Sequence, residues 1–389
     1  MSSPRLLSLA TAAPEHVVVQ EDAKELVASL FAAGGPLDDH GADRDGGRGD
    51  GGEGGASWER LLPVFDHGAI ETRRVCMPIA WYAAPHDFRE KNDRYIEHAV
   101  RLAGQAAGRA LERAGLTPRD VDHVVFVSST GLATPSIDAL LANELGFRED
   151  VRRTPIWGLG CAGGAAGLAH ARDFALASPR ARVLLVALEL CSLAFQPRDR
   201  SKRNLVAASL FGDGAAAAVV GGAELDRTAP ARADTARTAR HVAIDIEIGA
   251  SRSVLWPDTL DVMGWDIDGD GLHVVFSRDI PTIVRQRVRA SLDRFLEEEG
   301  ISLDEIDHVA SHPGGLKVLE AYQETLGVPP EAFHHARAVL REFGNMSSPT
   351  CLFVLERFVA GGEIAAGQRV LVTALGPGFS AEYVLLHAV

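Results

Sequence analysis

Along the chain, short unbroken apolar runs alternate with longer stretches in which apolar residues recur at helical spacing. Runs such as Val121-Asp122-His123-Val124-Val125-Phe126-Val127-Ser128 and Arg182–Leu188 are too apolar for half-exposed strands. They predict strands buried on both faces, the habit of parallel sheets. Asp93–Ala114 carries Ile96, Ala99, Val100, Ala103 and Ala107 near helical spacing and stops at Gly115, which predicts a long helix. Further helices are predicted over Glu21–Phe31, Trp58–Phe65, Ser136–Leu145, Ala165–Ala177 and Ile280–Glu299, and further strands over Arg5–Ala10, Ala216–Val220 and Arg369–Leu375. Ile70–Arg74, with its adjacent cations, reads as a loop. The pattern lapses twice. Residues 34–56 are dominated by Gly and Asp and predict a flexible surface insertion, and Ala229–Arg240 predicts a surface connection.

The pattern also repeats. Gly115-Leu116-Thr117-Pro118-Arg119-Asp120-Val121-Asp122-His123-Val124 matches Gly300-Ile301-Ser302-Leu303-Asp304-Glu305-Ile306-Asp307-His308-Val309 at an offset of 185, and each block follows a long helix. Arg182–Leu188 matches Arg369–Leu375 at an offset of 187. Same-order repetition of a helix–turn–strand block and a later strand predicts an α/β protein built from two duplicated halves. Their bounds are set at 1–235 and 236–389, with 34–56 as an insertion in the first.

Superposing the halves brings chemistry together. The strand ending at Ser128 corresponds to the one ending at Ser311-His312, and Gly160-Cys161 falls on Gly344-Asn345 at an offset of 184. Cys161 therefore opens a helix in one half and Asn345 the matching helix in the other, while His312 ends a neighbouring strand. About a pseudo-twofold axis these positions converge, and ligands in α/β sheets favour such ends. Taken alone, Cys161 reads equally well as a small buried residue at a tight Gly/Ala helix start. At a helix start, free amides and the helix dipole favour a thiolate, which is the nucleophile. Asn345 alone could be a helix cap.

Composition narrows the class. The net charge of −14 argues against nucleic acid or an anionic membrane as partner. Met1–Ala13 lacks a basic start followed by a sustained apolar run, and no unbroken apolar stretch is long enough to span a membrane. Cys76, Cys161, Cys191 and Cys351 form no CxxC pair, so neither a zinc ribbon nor a thioredoxin-type redox site is expected; the reading is of free thiols, a cytoplasmic location and no assigned metal ligands.

Taken together, Gly-Cys-Ala-Gly-Gly at 160–164, Leu-Phe-Gly-Asp-Gly-Ala at 210–215, His-Pro-Gly-Gly at 312–315, Gly-Asn-Met-Ser-Ser at 344–348 and Gly-Pro-Gly at 376–378 resemble the type III polyketide synthases, the chalcone synthase-like superfamily. Order and spacing match from about Arg5 to Val389, with 34–56 standing outside. The resemblance implies a thiolase-type αβαβα layered fold and a homodimer working without an acyl carrier protein. Its substrates would be acyl-CoA and malonyl-CoA, with no other cofactor. Cys161 would be the nucleophile, and His312 would hold it as thiolate and, with Asn345, bind the thioester oxygen. Phe211 would be a gatekeeper. Thr134, Cys191, Ala194, Val274, Ser347 and the run Leu375, Gly376, Pro377, Gly378 would shape the cavity. Val274 falls where plant enzymes carry a second gatekeeper phenylalanine, and the smaller groups at 194 and 274 suggest a roomier or differently directed cavity. The basic residues that plant enzymes place near Leu61–Gly68 are missing, leaving Arg60, Arg73 and Lys317 as candidates for the coenzyme A phosphates.

Within the family, Pro155–Gly164, Met263–Asp266 and Val275–Pro281 look similar to bacterial long-chain alkylpyrone and alkylresorcinol synthases. That implies a fatty acyl starter extended by two or three malonyl units. A malonyl-primed tetrahydroxynaphthalene synthase is the rival within the family. Ketoacyl synthase III shares Cys, His and Asn, but a Gln-Ala-Asn-type run is expected after its His, where this chain has Pro313-Gly314-Gly315. A catalytically silent dimeric scaffold would not need the intact trio.

Overall fold

A computed structural model describes residues 3–33, 58–225 and 245–389. The predicted insertion at 34–56 and the connection at 229–240 lie outside these residues. The strands are β1 (Arg5–Ala12), β2 (His16–Val19), β3 (Thr72–Val75), β4 (His123–Val127), β5 (Arg152–Ile156), β6 (Arg182–Leu190), β7 (Asp213–Gly221), β8 (Ile246–Leu255), β9 (Met263–Asp268), β10 (Gly271–Phe276), β11 (His308–Ser311), β12 (Arg369–Gly376) and β13 (Ser380–Ala388). The α-helices are α1 (Gln20–Ala33), α2 (Pro63–Asp66), α3 (Phe88–Arg113), α4 (Ile137–Leu145), α5 (Gly163–Ala177), α6 (Lys202–Leu210), α7 (Ile280–Ile283), α8 (Arg289–Glu298), α9 (Leu316–Leu326), α10 (His334–Phe343) and α11 (Thr350–Gly361).

Nine strands form one sheet in the order β11-β12-β13-β8-β1-β7-β6-β4-β5. Its topology repeats. β4 pairs parallel with β6, then β6 with β7 and β7 with β1 pair antiparallel. In the same way β11 pairs parallel with β12, then β12 with β13 and β13 with β8 pair antiparallel. The two sets join where Arg5 faces Glu247 and Leu6 faces Ile246, between β1 and β8. β5 extends only the first set, pairing with β4.

The apolar strands are buried on both faces, as their composition predicts. Along β4, Val125 and Val127 face one cluster that also holds Leu168 of α5 and Leu371 of β12, while Val124 and Phe126 face another with Ala99, Ala103 and Ala107 of α3. α5 packs on strands of both sets and on α11, and α3 covers the outer face of β1, β6 and β7. This is the thiolase-type αβαβα arrangement, with α5 and α11 in the middle layer. An Ala-rich buried face lets α3 lie close to its sheet. Asp87 caps its start by accepting the Glu90 N–H at 2.8 Å.

Three elements differ from the sequence reading. Trp58–Phe65 is a 3₁₀ turn at Trp58–Arg60 followed by the single turn α2. Ile280–Glu299 is interrupted by a π-helical turn at Val284–Val288, and Val284, Val288 and Leu292 are all buried. Ile70–Arg74 is not a loop, because Thr72–Val75 is the strand β3, paired with β2. Its Arg73 points inward, which a strand-long view of polarity does not anticipate.

Candidate active site

Cys161 sits in a 3₁₀ turn, Gly160–Ala162, that runs directly into α5. Gly160 has φ +47°, and a Cβ there would meet Pro377 at 2.9 Å. A side chain at this position would thus be both strained and obstructed. Four residues on, a Cβ at Gly164 would lie 2.1 Å from the Ser348 carbonyl oxygen, so α5 and the turn before α11 meet backbone to backbone.

Asn345 occupies that turn, between α10 and α11. Its Oδ1 accepts the Ser347 N–H at 2.7 Å and its Nδ2 donates to the Gly314 carbonyl at 3.1 Å. These two partners fix which way the amide points. Cys161 Sγ lies 4.0 Å from Oδ1. A carboxamide nitrogen carries two N–H groups, and Gly314 takes one. His312 follows β11, and its backbone N–H donates to Thr373 O on β12 at 2.8 Å. Its ring is buried, and neither Nδ1 nor Nε2 has a partner among the described residues. Two orphaned imidazole nitrogens are costly in a core and make sense beside a ligand site.

Cys161, His312 and Asn345 line one cavity of about 490 Å³, within the usual range for small-molecule sites. The sequence argument thus brings its trio together. The electrostatics differ from the expected helix-start effect. Burial, opposed by the Ser347 hydroxyl, pushes the Cys161 thiol up to about 11. Burial also pulls the His312 imidazole down to about 3. Each group taken singly is therefore neutral.

A carboxyl group that sequence reasoning missed lies nearby. Glu189, on β6, is fully buried and accepts the Ser129 N–H at 2.9 Å and the Thr130 hydroxyl at 2.8 Å. Burial holds it up at about 7, and its charge opposes ionisation of Cys161. A single Glu inside the apolar run Leu188-Glu189-Leu190 was the only signal.

The remaining candidates separate. Leu375 lines the cavity, and Ser347 lies against the thiol. Gly376 and Pro377 instead pack against the Cys161 turn, since a Cβ on Gly376 would meet Ala162 at 2.5 Å and Pro377 abuts Gly160. Neither they nor Gly378 line the cavity. Phe211, Cys191, Ala194 and Val274 line a second, smaller cavity of about 70 Å³. Phe211 stands beside the trio, because Gly212 N–H donates to Asn345 O at 3.0 Å and Asn345 N–H to Leu210 O at 2.8 Å. The room opened by Ala194 and Val274 is partly refilled: Trp265 and Phe276 pack on Phe211, with centroids at 6.0 and 5.7 Å. Thr134 lines neither cavity; it is exposed on the loop before α4.

The basic candidates also divide. Arg60 and Lys317 line the catalytic cavity, joined there by Lys202 and Arg278, which sequence reasoning missed. All four are exposed. Arg73 is buried and cannot serve a substrate phosphate as they could. Its guanidinium donates to the carbonyls of Ala208, Ser209 and Phe211 and to the Gln20 side chain. It thus satisfies the free carbonyls at the end of α6.

Comparison with known proteins agrees with this arrangement. The model of the N-terminal domain of chalcone and stilbene synthases matches residues 79–224, and that of the C-terminal domain matches 247–389. A Bacillus subtilis (strain 168) protein with a provisional chalcone synthase name is 40% identical over 98% of this chain and 97% of its own. The 1,3,6,8-tetrahydroxynaphthalene synthase of Streptomyces peucetius subsp. caesius is 39% identical over 97% of this chain and 91% of its own. The alpha-pyrone synthesis polyketide synthase-like Pks18 of Mycobacterium tuberculosis (strain H37Rv) is 29% identical over 98% and 90%. Among solved structures, the 1,3,6,8-tetrahydroxynaphthalene synthase of Streptomyces coelicolor A3(2), a bacterial type III polyketide synthase, matches with a TM-score of 0.84 and 29% identity over 99% of both chains.

Proposed function

The chain belongs to the chalcone and stilbene synthase family of type III polyketide synthases, decarboxylative acyl-transferring enzymes, and on that premise we propose how its residues act and on what. Cys161 accepts an acyl group from an acyl-CoA starter, a long-chain fatty acyl group in the first instance. The Sγ–H proton passes to His312, the thiolate attacks the thioester carbonyl, and the coenzyme A thiolate leaves with that proton. Transfer within the pair converts two neutral buried groups into an ion pair whose attraction offsets their separate desolvation.

Malonyl-CoA then loses carbon dioxide. The electrons of the broken C–C bond remain on the α-carbon as an enolate, whose oxygen is held by N–H groups of Asn345 and His312. The enolate attacks the acyl-Cys161 carbonyl and expels the thiolate, giving an acyl-CoA two carbons longer. No oxidant, metal or carrier protein enters these steps. Repetition and ring closure give an alkylpyrone or alkylresorcinol-type product.

The observation that carries the catalytic reading is the single cavity shared by Cys161, His312 and Asn345. Exposed Arg60, Lys202, Arg278 and Lys317 along it suit the phosphates of coenzyme A. The long-chain reading rests on the second cavity beyond Phe211, where Val27, Ala194 and Val274 offer an apolar wall. The other reading, a malonyl-primed tetrahydroxynaphthalene-type synthase, is favoured by the Streptomyces relatives and by the polar Ser192, Gln196 and Asn204 in the same cavity. Supplying lauroyl-CoA with labelled malonyl-CoA, or malonyl-CoA alone, separates the two by product mass. No product from any acyl-CoA would defeat the synthase reading, and a requirement for acyl carrier protein would favour a ketoacyl synthase.

The working unit proposed is a cytoplasmic homodimer. Leu132 and Trp157 are 43% and 49% exposed in the single chain, apolar surface that a second copy would cover. No helix among the described residues is long and apolar enough to cross a membrane.

A further inference from the structure

A second cluster of ligating side chains lies outside the catalytic cavity. α10 opens with His334 and His335, and Glu363 follows the Gly362 cap of α11. The Glu363 carboxylate divides its oxygens between them: Oε1 lies 2.7 Å from His335 Nε2, and Oε2 lies 3.3 Å from His334 Nε2. Among the described residues, this is the one group of three His, Cys, Asp or Glu side chains whose ligand atoms all fall within 4.8 Å of one another.

The hydrogen bonding says more than proximity. His334 Nδ1 lies 2.7 Å from the Glu331 carbonyl oxygen. A carbonyl only accepts, so Nδ1 carries a proton and the ring of a neutral His334 turns its Nε2 lone pair toward the carboxylate. Two acceptors facing each other need a cation between them, either a proton or a metal ion. A backbone carbonyl on the far nitrogen is also the usual device that orients a metal-bound imidazole. The two rings are held together, with centroids 3.9 Å apart and Phe358 edge-on to both.

We propose that His334, His335 and Glu363 bind one divalent first-row transition-metal ion, with Zn²⁺ the best match. Two imidazole nitrogens and one carboxylate suit zinc, whereas Mg²⁺ and Ca²⁺ want oxygen throughout. His334 and Glu363 are exposed, which leaves the remaining position to water. The ion would fasten the start of α10 to the end of α11. Asn345 sits on the turn joining the other ends of these helices, so the tie secures the helix pair that carries it.

Calorimetric titration of the chelator-treated full-length chain with ZnCl₂ tests this. Wild type is expected to take up one equivalent at this site, and His335→Ala and Glu363→Gln to weaken that uptake by about ten- to hundredfold. Glu363→Gln should melt like wild type without metal, which checks that it folds. Zinc should raise the melting temperature of wild type by more than that of the variant. Unchanged zinc affinity in both variants would overturn the proposal, as would equally tight binding of MgCl₂.

Discussion

Cys161 Sγ faces the side-chain oxygen of Asn345 at 4.0 Å, while the amide nitrogen of the same residue is turned to the Gly314 carbonyl. The thiol and the N–H donor therefore address different parts of the cavity. Asn345→Asp keeps the oxygen that accepts the Ser347 N–H, removes the donor and adds negative charge where an enolate would form. Condensation should fall by about 10²–10³-fold, the scale of one lost oxyanion donor. Acylation of Cys161, read by intact-protein mass, should persist. Equal loss of both would show that Asn345 does not act selectively on the enolate.

His312 should govern the ionisation of Cys161. Burial, partly offset by the Ser347 hydroxyl, puts the thiol at about 11. A neighbouring imidazole that takes the proton lowers the apparent value, which then belongs to the pair. The pH profile of iodoacetamide inactivation should move upward in His312→Gln, toward the value set by burial. Superimposable profiles would remove His312 from this role.

The Glu189 carboxyl is raised from 4.5 to about 7 by burial. Over that window the folded protein holds a proton the unfolded chain has released, so its contribution is full below pH 4.5 and is lost as pH rises through 7. The loss is about 3 kcal/mol. Glu189→Gln escapes it. Urea unfolding at pH 4.5 and pH 8 should show the variant gaining about that much on wild type at the higher pH, and a pH-independent difference would contradict the argument.

The two kinds of arginine and lysine should behave oppositely. Arg73→Ala leaves carbonyls at the end of α6 without a donor and should cost ~2–4 kcal/mol of stability, with the KM for malonyl-CoA unchanged in the folded fraction. Lys317→Ala should leave unfolding unaltered and raise that KM by about fivefold, the scale of an exposed charge pair. The reverse pattern would exchange their assignments.

Val274→Phe adds bulk to the cavity that Phe211 borders. If a long alkyl chain enters there, kcat/KM for lauroyl-CoA should drop by roughly tenfold relative to acetyl-CoA. Equal effects on both starters would place the chain elsewhere.

The trio was legible because each member lies in a glycine-marked turn and the duplication puts those turns in register. Glu189 was hidden because it reaches the site only through the fold, from near the end of a buried strand. Arg73 was misread because a cation beside another in the chain suggests solvent, and only the end of α6 shows where its hydrogen bonds go. Lys202 and Arg278 lie far apart in sequence, at the start of α6 and just before α7, and packing alone makes them neighbours of Lys317. Thr134 was placed in the cavity by resemblance, but within one chain its loop turns outward.

The contact of Gly164 with the Ser348 carbonyl leaves no room for a side chain at that crossing. The spacing of nucleophile and carboxamide is therefore a main-chain dimension, which ordinary substitution cannot adjust by degrees: a side chain at Gly164 breaks it, and most others leave it alone. Walls such as Val274 and Ala194 carry no such constraint. Diversification on this frame is thereby channelled outward, so that lineages can explore new products while inheriting one reaction unchanged.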